Sequence, residues 1–208
     1  HLVDESKKRD RTQPEYELMD TGIFNNNEYF DVFVEYAKQD TDDILIKITI
    51  HNRSKASASL NLLPTIWFRN TWEWGYDDYK PKLSANGNAV KIEHKELSAL
   101  NLIADGSPEL LFCDNQTNTK RFNNVDDGKS FYKDGINDYI VNGSKTTNPA
   151  NTGTKAAFNY DINIPAGGSH TVKLRLAEST ENSFADFDDV FAIRLREADE
   201  FYAAIRPK

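Results

Sequence analysis

The chain has 208 residues, a formal net charge of −8, 38% hydrophobic and 28% charged residues, which is enough for one substantial core in a water-soluble folding unit. No apolar run approaches the roughly 20 residues that cross a bilayer, and an acidic chain without a Lys/Arg-rich face is a poor match for a phosphate backbone. Neither a membrane nor a nucleic acid is therefore an expected partner. The single cysteine, Cys113, cannot close an internal disulfide and so indicates no compartment.

Residues 1–15 are charged and polar around Pro14 and read as a linker. The chain starts at His1 without an initiator methionine, so the expectation is a segment of a longer protein. From Tyr29 to Tyr36 the apolar Phe30, Val32, Val34 and Tyr36 recur at every second position, the period of a half-buried strand. A β-branched run follows from Ile44 to Ile50, then a turn at Asn52–Lys55 and an apolar run from Leu60 to Phe68.

Further strands are expected at Val90–His94, Glu109–Phe112, Tyr139–Val141, Lys155–Ile164 and Thr171–Ala177, the last two joined through Pro165–Ser169. The segment from Asn115 to Gly153, rich in Asn, Asp, Gly and Thr, reads as long surface loops. Strands separated by polar breaks, with no helix between them, predict a mainly β fold: a two-sheet antiparallel β-sandwich over residues 16–180, supersandwich-like.

The period changes near the end. Phe187, Val190, Phe191, Ile193, Ala198, Phe201, Tyr202 and Ile205 fall mostly three or four apart, which predicts an amphipathic helix over Asp186–Ile205 within the stretch 181–208. Ser183 with Asp186 resembles a capping box, and Pro207 stops the helix.

Chemistry-bearing residues concentrate at WFRNTWEWGYDDY, residues 67–79, which holds all three tryptophans. Aromatic faces cover the C–H faces of sugars while amide, carboxylate and guanidinium groups meet the hydroxyls. Trp67, Arg69, Asn70, Trp72, Glu73, Trp74 and Tyr76 are accordingly the candidates for carbohydrate binding, or for a domain interface, which uses the same residue types.

No catalytic residue is assigned. Glycoside hydrolysis needs two carboxyl groups facing each other, and Glu73, Asp77, Asp78, Glu93 and Glu96 sit close in sequence in a chain with 33 acidic residues, where such neighbours arise by chance. His1, His51, His94 and His170 lack paired spacing, and Val125 interrupts the oxygen ligands of Asn123–Gly128, so no metal and no cofactor are expected. Three glycosylation sequons begin at Asn52, Asn115 and Asn142.

Several blocks together carry a family resemblance: PEYELMDTGIF (14–24), YFDVFVEYAK (29–38), DDILIKITIHNR (42–53), LLPTIWFRNTWEWG (62–75), PELLFCDNQTN (108–118), KDGINDYIV (133–141), NPANTGTKAAFNY (148–160), IPAGGSHTVKLRL (164–176) and DFDDVFAIRLREADEFYAAI (186–205). In this order the chain resembles the N-terminal β-sandwich region of bacterial proteins similar to glycoside hydrolase family 63, the processing α-glucosidase and mannosylglycerate hydrolase-like enzymes. The resemblance implies a non-catalytic accessory domain whose helix leads toward an (α/α)6 barrel of the same parent chain, the barrel carrying the acid and base of an inverting hydrolysis of α-linked gluco- or manno-saccharides.

The tryptophan segment would then be an interface or a wall of the substrate pocket. The alternative is an independent carbohydrate-binding module. A soluble parent in a bacterial cytoplasm or periplasm, and self-association of the segment when isolated, are further expectations of this resemblance.

Overall fold

The computed structural model of the protein describes residues 1–181 and 184–206. A short helix α1 (Leu2–Ser6) and a 3-10 turn (Leu18–Thr21) come first. Strands β1 (Phe30–Asp40), β2 (Asp43–Asn52), β3 (Ala58–Leu62), β4 (Thr65–Trp67), β5 (Lys82–Asn86), β6 (Ala89–Glu93), β7 (Leu100–Ala104) and β8 (Glu109–Cys113) follow. Helices α2 (Thr119–Asn123) and α3 (Gly135–Asn142) precede β9 (Thr152–Gly153), β10 (Lys155–Ile164), β11 (Ser169–Ala177) and the terminal helix α4 (Phe187–Ile205).

The fold is mainly β, as the alternation predicts. A seven-stranded sheet runs β1-β2-β11-β7-β6-β5-β9, and a four-stranded sheet has β10 flanked by β3, β4 and β8. The observed pairings among β4 to β11 are antiparallel. Side chains alternate across each strand, so register decides which residues share a face.

In the larger sheet, Leu83, Ile92 and Leu100 form one ladder row and Val90, Leu102 and Leu176 the next. In the smaller sheet, Phe112 faces Ala156 and Leu110 faces Phe158. Most of these side chains are buried, and burying one large aliphatic or aromatic side chain is worth about 1.5–3 kcal/mol. Their inward rows make the core of a β-sandwich.

The opposite faces are covered by helices. On the smaller sheet, Leu111, Cys113 and Ala157 pack with Ile136, Tyr139 and Ile140 of α3. Beside the larger sheet, Phe187 and Val190 of α4 pack with Ala37 and Leu45.

The chain divides into two compact units. The smaller comprises His1–Phe33, Thr49–Ser59 and Asn163–Thr171, the larger Val34–Ile48, Leu60–Ile162 and Val172–Lys208. Asn52 is the knot of the smaller unit, with 1% of its surface exposed. Its Nδ2 donates to the carbonyls of Ala56 (2.8 Å), Ile164 (3.0 Å) and Pro165 (3.2 Å), and its Oδ1 accepts from the Ser54 N–H (2.9 Å). Its own N–H donates to Gly168 O at 3.0 Å. A buried amide that satisfies several backbone groups at once pins the turns that provide them.

Three local expectations need correction. Tyr139–Val141 is helical, inside α3, because Gly143 closes that helix in the left-handed conformation (φ +65°) and Ile136, Tyr139 and Ile140 lie at helical spacing toward β8 and β10. The run Leu60–Phe68 is interrupted at Leu63–Pro64: proline has no N–H for a ladder, and the Pro64 carbonyl accepts from Phe158 N–H at 3.0 Å. The stretch Asn115–Gly153 is mostly irregular but also holds α2, α3 and β9.

Strands β5 and β7 carry no expectation from sequence. β5 has a single fully buried apolar side chain, Leu83, and reaches β6 through Gly87 at φ +61°. Helix α4 lies where its period predicts. Its N-cap residue is Asp186, whose carboxylate makes no capping bond and instead pairs with Arg175 at 2.6 Å. Ser183 and Pro207 lie outside the described residues.

Candidate functional site

The tryptophan segment leaves the smaller sheet at β4, where Trp67 stands opposite Lys155 of β10. Pairing continues one residue further: Phe68 N–H donates to Thr154 O (3.0 Å), while Asn115 Nδ2 donates to Phe68 O (2.9 Å). Asn115 N–H donates in turn to Thr154 Oγ1 (2.8 Å). The chain then turns on Asn70, which is buried; its Nδ2 donates to Glu73 Oε2 (2.6 Å) and its Oδ1 accepts from Glu73 N–H (3.2 Å). The other Glu73 oxygen accepts from Lys129 Nζ. Gly75, at φ +74°, makes the next reversal, and Tyr76 N–H reaches Thr71 O at 3.3 Å.

The far end of the segment is tied to the residues after β6. Asp77 accepts from Tyr79 N–H (2.9 Å) and from Lys95 Nζ. The Lys95 hydrogen bond, followed by that from Tyr79, holds the Asp77 carboxyl below its ordinary range. His94 stacks on Phe68 and meets Tyr79 edge-on, with centroids 5.4 and 5.5 Å away. Lys80 Nζ stands 6.0 Å from the Trp72 ring centroid and pairs with Asp114 at 2.8 Å. Trp72 Nε1 is buried with no hydrogen-bond partner among the described residues.

These bonds divide the seven candidates in two. Asn70, Trp72 and Glu73 belong to the frame of the loop. Trp67, Trp74 and Tyr76 are 56, 62 and 76% exposed, with Trp74 and Tyr76 edge to face at 6.2 Å, and Arg69 is exposed. The segment therefore offers aromatic faces and a guanidinium outward, while the Asn70 amide is buried and the Glu73 carboxylate, at the surface, is taken up by Asn70 and Lys129.

Nearby carboxylates are similarly committed to lysines: Glu73 to Lys129, Asp77 to Lys95 and Glu93 to Lys91. A carboxylate that neutralises a neighbouring ammonium is poorly poised as a proton donor. Among the described residues no group of three or more His, Cys, Asp or Glu side chains is placed to hold a metal ion. Burial pushes the Cys113 thiol up to about 11, so it stays protonated and unreactive near neutral pH.

Two clefts among the described residues of the larger unit bear on the site. One, of about 610 Å³, is lined by Asp40, Asp42, Asp43, Glu178 and Asp186 around Arg175; Arg175 is held there by Asp43 and Asp186, each with a 2.6 Å contact. The other, of about 370 Å³, is lined by Lys80, Lys82, Asp114, Asn148, Thr152 and Thr154, and it shares Asp114 and Thr154 with the root of the tryptophan loop. Sequence reasoning finds none of the loop's outer supports. Lys129, Asp114, Asn115 and Thr154 lie roughly 35 to 85 residues downstream of what they hold, and no local motif marks them.

Helix α4 carries a second exposed surface. Phe187 and Val190 are buried, but Leu195, Phe201, Tyr202 and Ile205 toward its C-terminus are exposed. No helix among the described residues is long and apolar enough to cross a membrane.

No family model matches the chain. It is 32% identical, over 255 residues, to an uncharacterized protein of Saccharomyces cerevisiae, in a match that takes in 99% of this chain and 23% of the yeast protein. The chain thus spans about a quarter of that curated relative's length. Among solved structures it is similar to a polysaccharide lyase, with a TM-score of 0.40, 10% identity, and coverage of 77% of this chain and 22% of that one.

Proposed function

We propose that this chain is the non-catalytic accessory domain of a larger carbohydrate-active protein. In its finer form the reading is an N-terminal β-sandwich of a glycoside hydrolase family 63-like enzyme acting on α-linked gluco- or manno-saccharides. The observation that carries the reading is the division of α4. Its first turns are core, whereas Leu195, Phe201, Tyr202 and Ile205 form an apolar row left in water, and contiguous exposed apolar surface marks an interaction site. The occupant proposed for that row is the rest of the parent chain, an (α/α)6 barrel. A relative of which the match takes in 23% supports a larger parent.

Trp67, Arg69, Trp74 and Tyr76 then supply a wall of the substrate pocket or a second part of the interface. The commitment of Glu73 and Asp77 to lysines agrees with a domain that holds no acid–base pair of its own. The test compares this chain with a longer polypeptide that includes the barrel, on α-linked gluco- and manno-oligosaccharides. Turnover by the longer protein alone is the expected result; turnover by the 208-residue chain overturns the reading.

One observation favours a second reading, an independent carbohydrate-binding module: Trp67 at the end of β4 and Trp74 and Tyr76 in the loop that follows all face solvent. Saccharide-dependent tryptophan fluorescence in the 208-residue chain separates the two, since a domain that only buries this face against a barrel gives none.

A further inference from the structure

The 370 Å³ cleft at the root of the tryptophan loop has a chemistry that the readings above do not use. Most of its polar atoms are already spent. Asp114 Oδ1 accepts from the N–H (3.1 Å) and Oγ1 (3.3 Å) of Thr154, and its Oδ2 accepts from Lys80 Nζ (2.8 Å). Asn148 Nδ2 donates to Thr152 O (2.6 Å), and its Oδ1 accepts from Ala150 N–H (3.0 Å). Thr152 Oγ1 donates to Leu83 O at 2.8 Å.

Two ammonium groups remain, and one of them is uncompensated. Lys80 is neutralised by Asp114 but keeps donors to spare. Lys82 has no ion-pair partner among the described residues; its cross-strand neighbour Glu93 pairs with Lys91 at 3.2 Å. The cleft thus presents one net positive charge and an excess of donors, which calls for an acceptor-rich ligand with a single negative charge. A phosphate monoester carries about −1.5 to −2 near neutral pH and is over-charged for it. A polyanion would also meet the repulsion of a chain whose net charge is −8. The volume lies at the small end of the roughly 300–1,000 Å³ of small-molecule sites, room for about one ring.

We infer that this cleft is a subsite for the carboxylate-bearing ring of an acidic sugar, a uronate, with Lys82 as the group that recognises the carboxylate and Lys80 as a second donor. The inference rests on the reading that the tryptophan face meets saccharide, the neighbouring rings of the glycan lying on the displayed aromatics.

The experiment is calorimetric titration of the 208-residue chain with a glucuronosyl-glucose disaccharide and with the corresponding neutral disaccharide, at low and at high salt. The acidic form should bind at least about tenfold tighter, as a charge-assisted hydrogen bond allows. Salt should reduce that preference, and Lys82→Gln should erase it without moving the urea midpoint. Equal affinity for the two sugars, or a preference that survives Lys82→Gln, overturns the inference even if both bind and the tryptophan-face reading stands. A Lys82-dependent preference that is indifferent to Trp67→Ala and Trp74→Ala keeps the anion site and removes the tryptophan face. Absence of binding by either sugar overturns both.

Discussion

Helix α4 makes the sharpest energetic prediction, because one helix of 19 residues is proposed to serve two surfaces. Phe187 is 1% exposed and packs with Ala37, Leu45 and Val190, its ring 5.9 Å from that of Phe184 and 5.1 Å from that of Phe191. Lys173 Nζ lies 4.8 Å from the centroid of the same ring. Removing such a side chain loses its transfer energy and leaves a cavity, so Phe187→Ala should cost about 3–5 kcal/mol. That is a large share of the roughly 5–15 kcal/mol that holds an ordinary domain.

Phe201 is 61% exposed and touches Tyr202 edge-on at 5.4 Å. Phe201→Ser should therefore stay within about 0.5 kcal/mol. Urea unfolding followed by far-ultraviolet circular dichroism measures both, with the slope expected to hold and only the midpoint to move. Sedimentation velocity supplies the second arm: Phe201→Ser with Ile205→Ser should weaken any self-association of the isolated chain and should loosen a longer parent against proteolysis. A midpoint shift for Phe201→Ser as large as that for Phe187→Ala would refute the division of the helix, and with it the docking face.

Asn52→Ala should cost about 1–3 kcal/mol, since it takes the Asn52 donor from the buried Ile164 carbonyl, and thermal unfolding of the variant checks it. Asp186 has its carboxyl held below the ordinary value of 3.8 chiefly by the Arg175 hydrogen bond. A depressed carboxylate adds stability that is present above the unfolded value and is lost as pH falls through the folded one; urea midpoints should therefore decline in acid below about pH 4, and Asp186→Asn should flatten part of that decline. Cys113 should resist alkylation at pH 8 and react only when urea unfolds the chain, because its thiol is pushed up to about 11 by burial; fast labelling in native buffer would contradict that burial. Glu73→Gln should leave hydrolysis by a longer parent unchanged, because Glu73 is spent on Asn70 and Lys129; a large fall in rate would make it a participant in the chemistry.

The residues legible in sequence are those whose environment is local. Long alternating or β-branched runs such as 30–36, 44–50 and 155–164 announce strands because one face must be apolar over many positions. Tyr139–Val141 misleads for the opposite reason: three apolar residues fit either period, and only the Gly143 cap together with the surface of β8 and β10 selects the helix. β5 and β7 escape notice because five residues, three of them polar in β5 and one in β7, carry little periodic signal; pairing with β6 on both sides is what makes them strands.

Sequence by itself determined the fold class, the helical period after residue 186 and the concentration of aromatic and polar groups at 67–79, since composition and spacing are properties of the chain. Tertiary structure alone decided which of those groups are available. Glu73 and Asn70 look as accessible in sequence as Trp74 and Arg69, yet Lys129, from 56 residues away, takes the Glu73 carboxylate while the Asn70–Glu73 turn takes the amide. Hydrogen bonds and ion pairs act over a few ångströms in space, so the partner that spends a side chain is set by the path of the backbone and not by its neighbours in sequence.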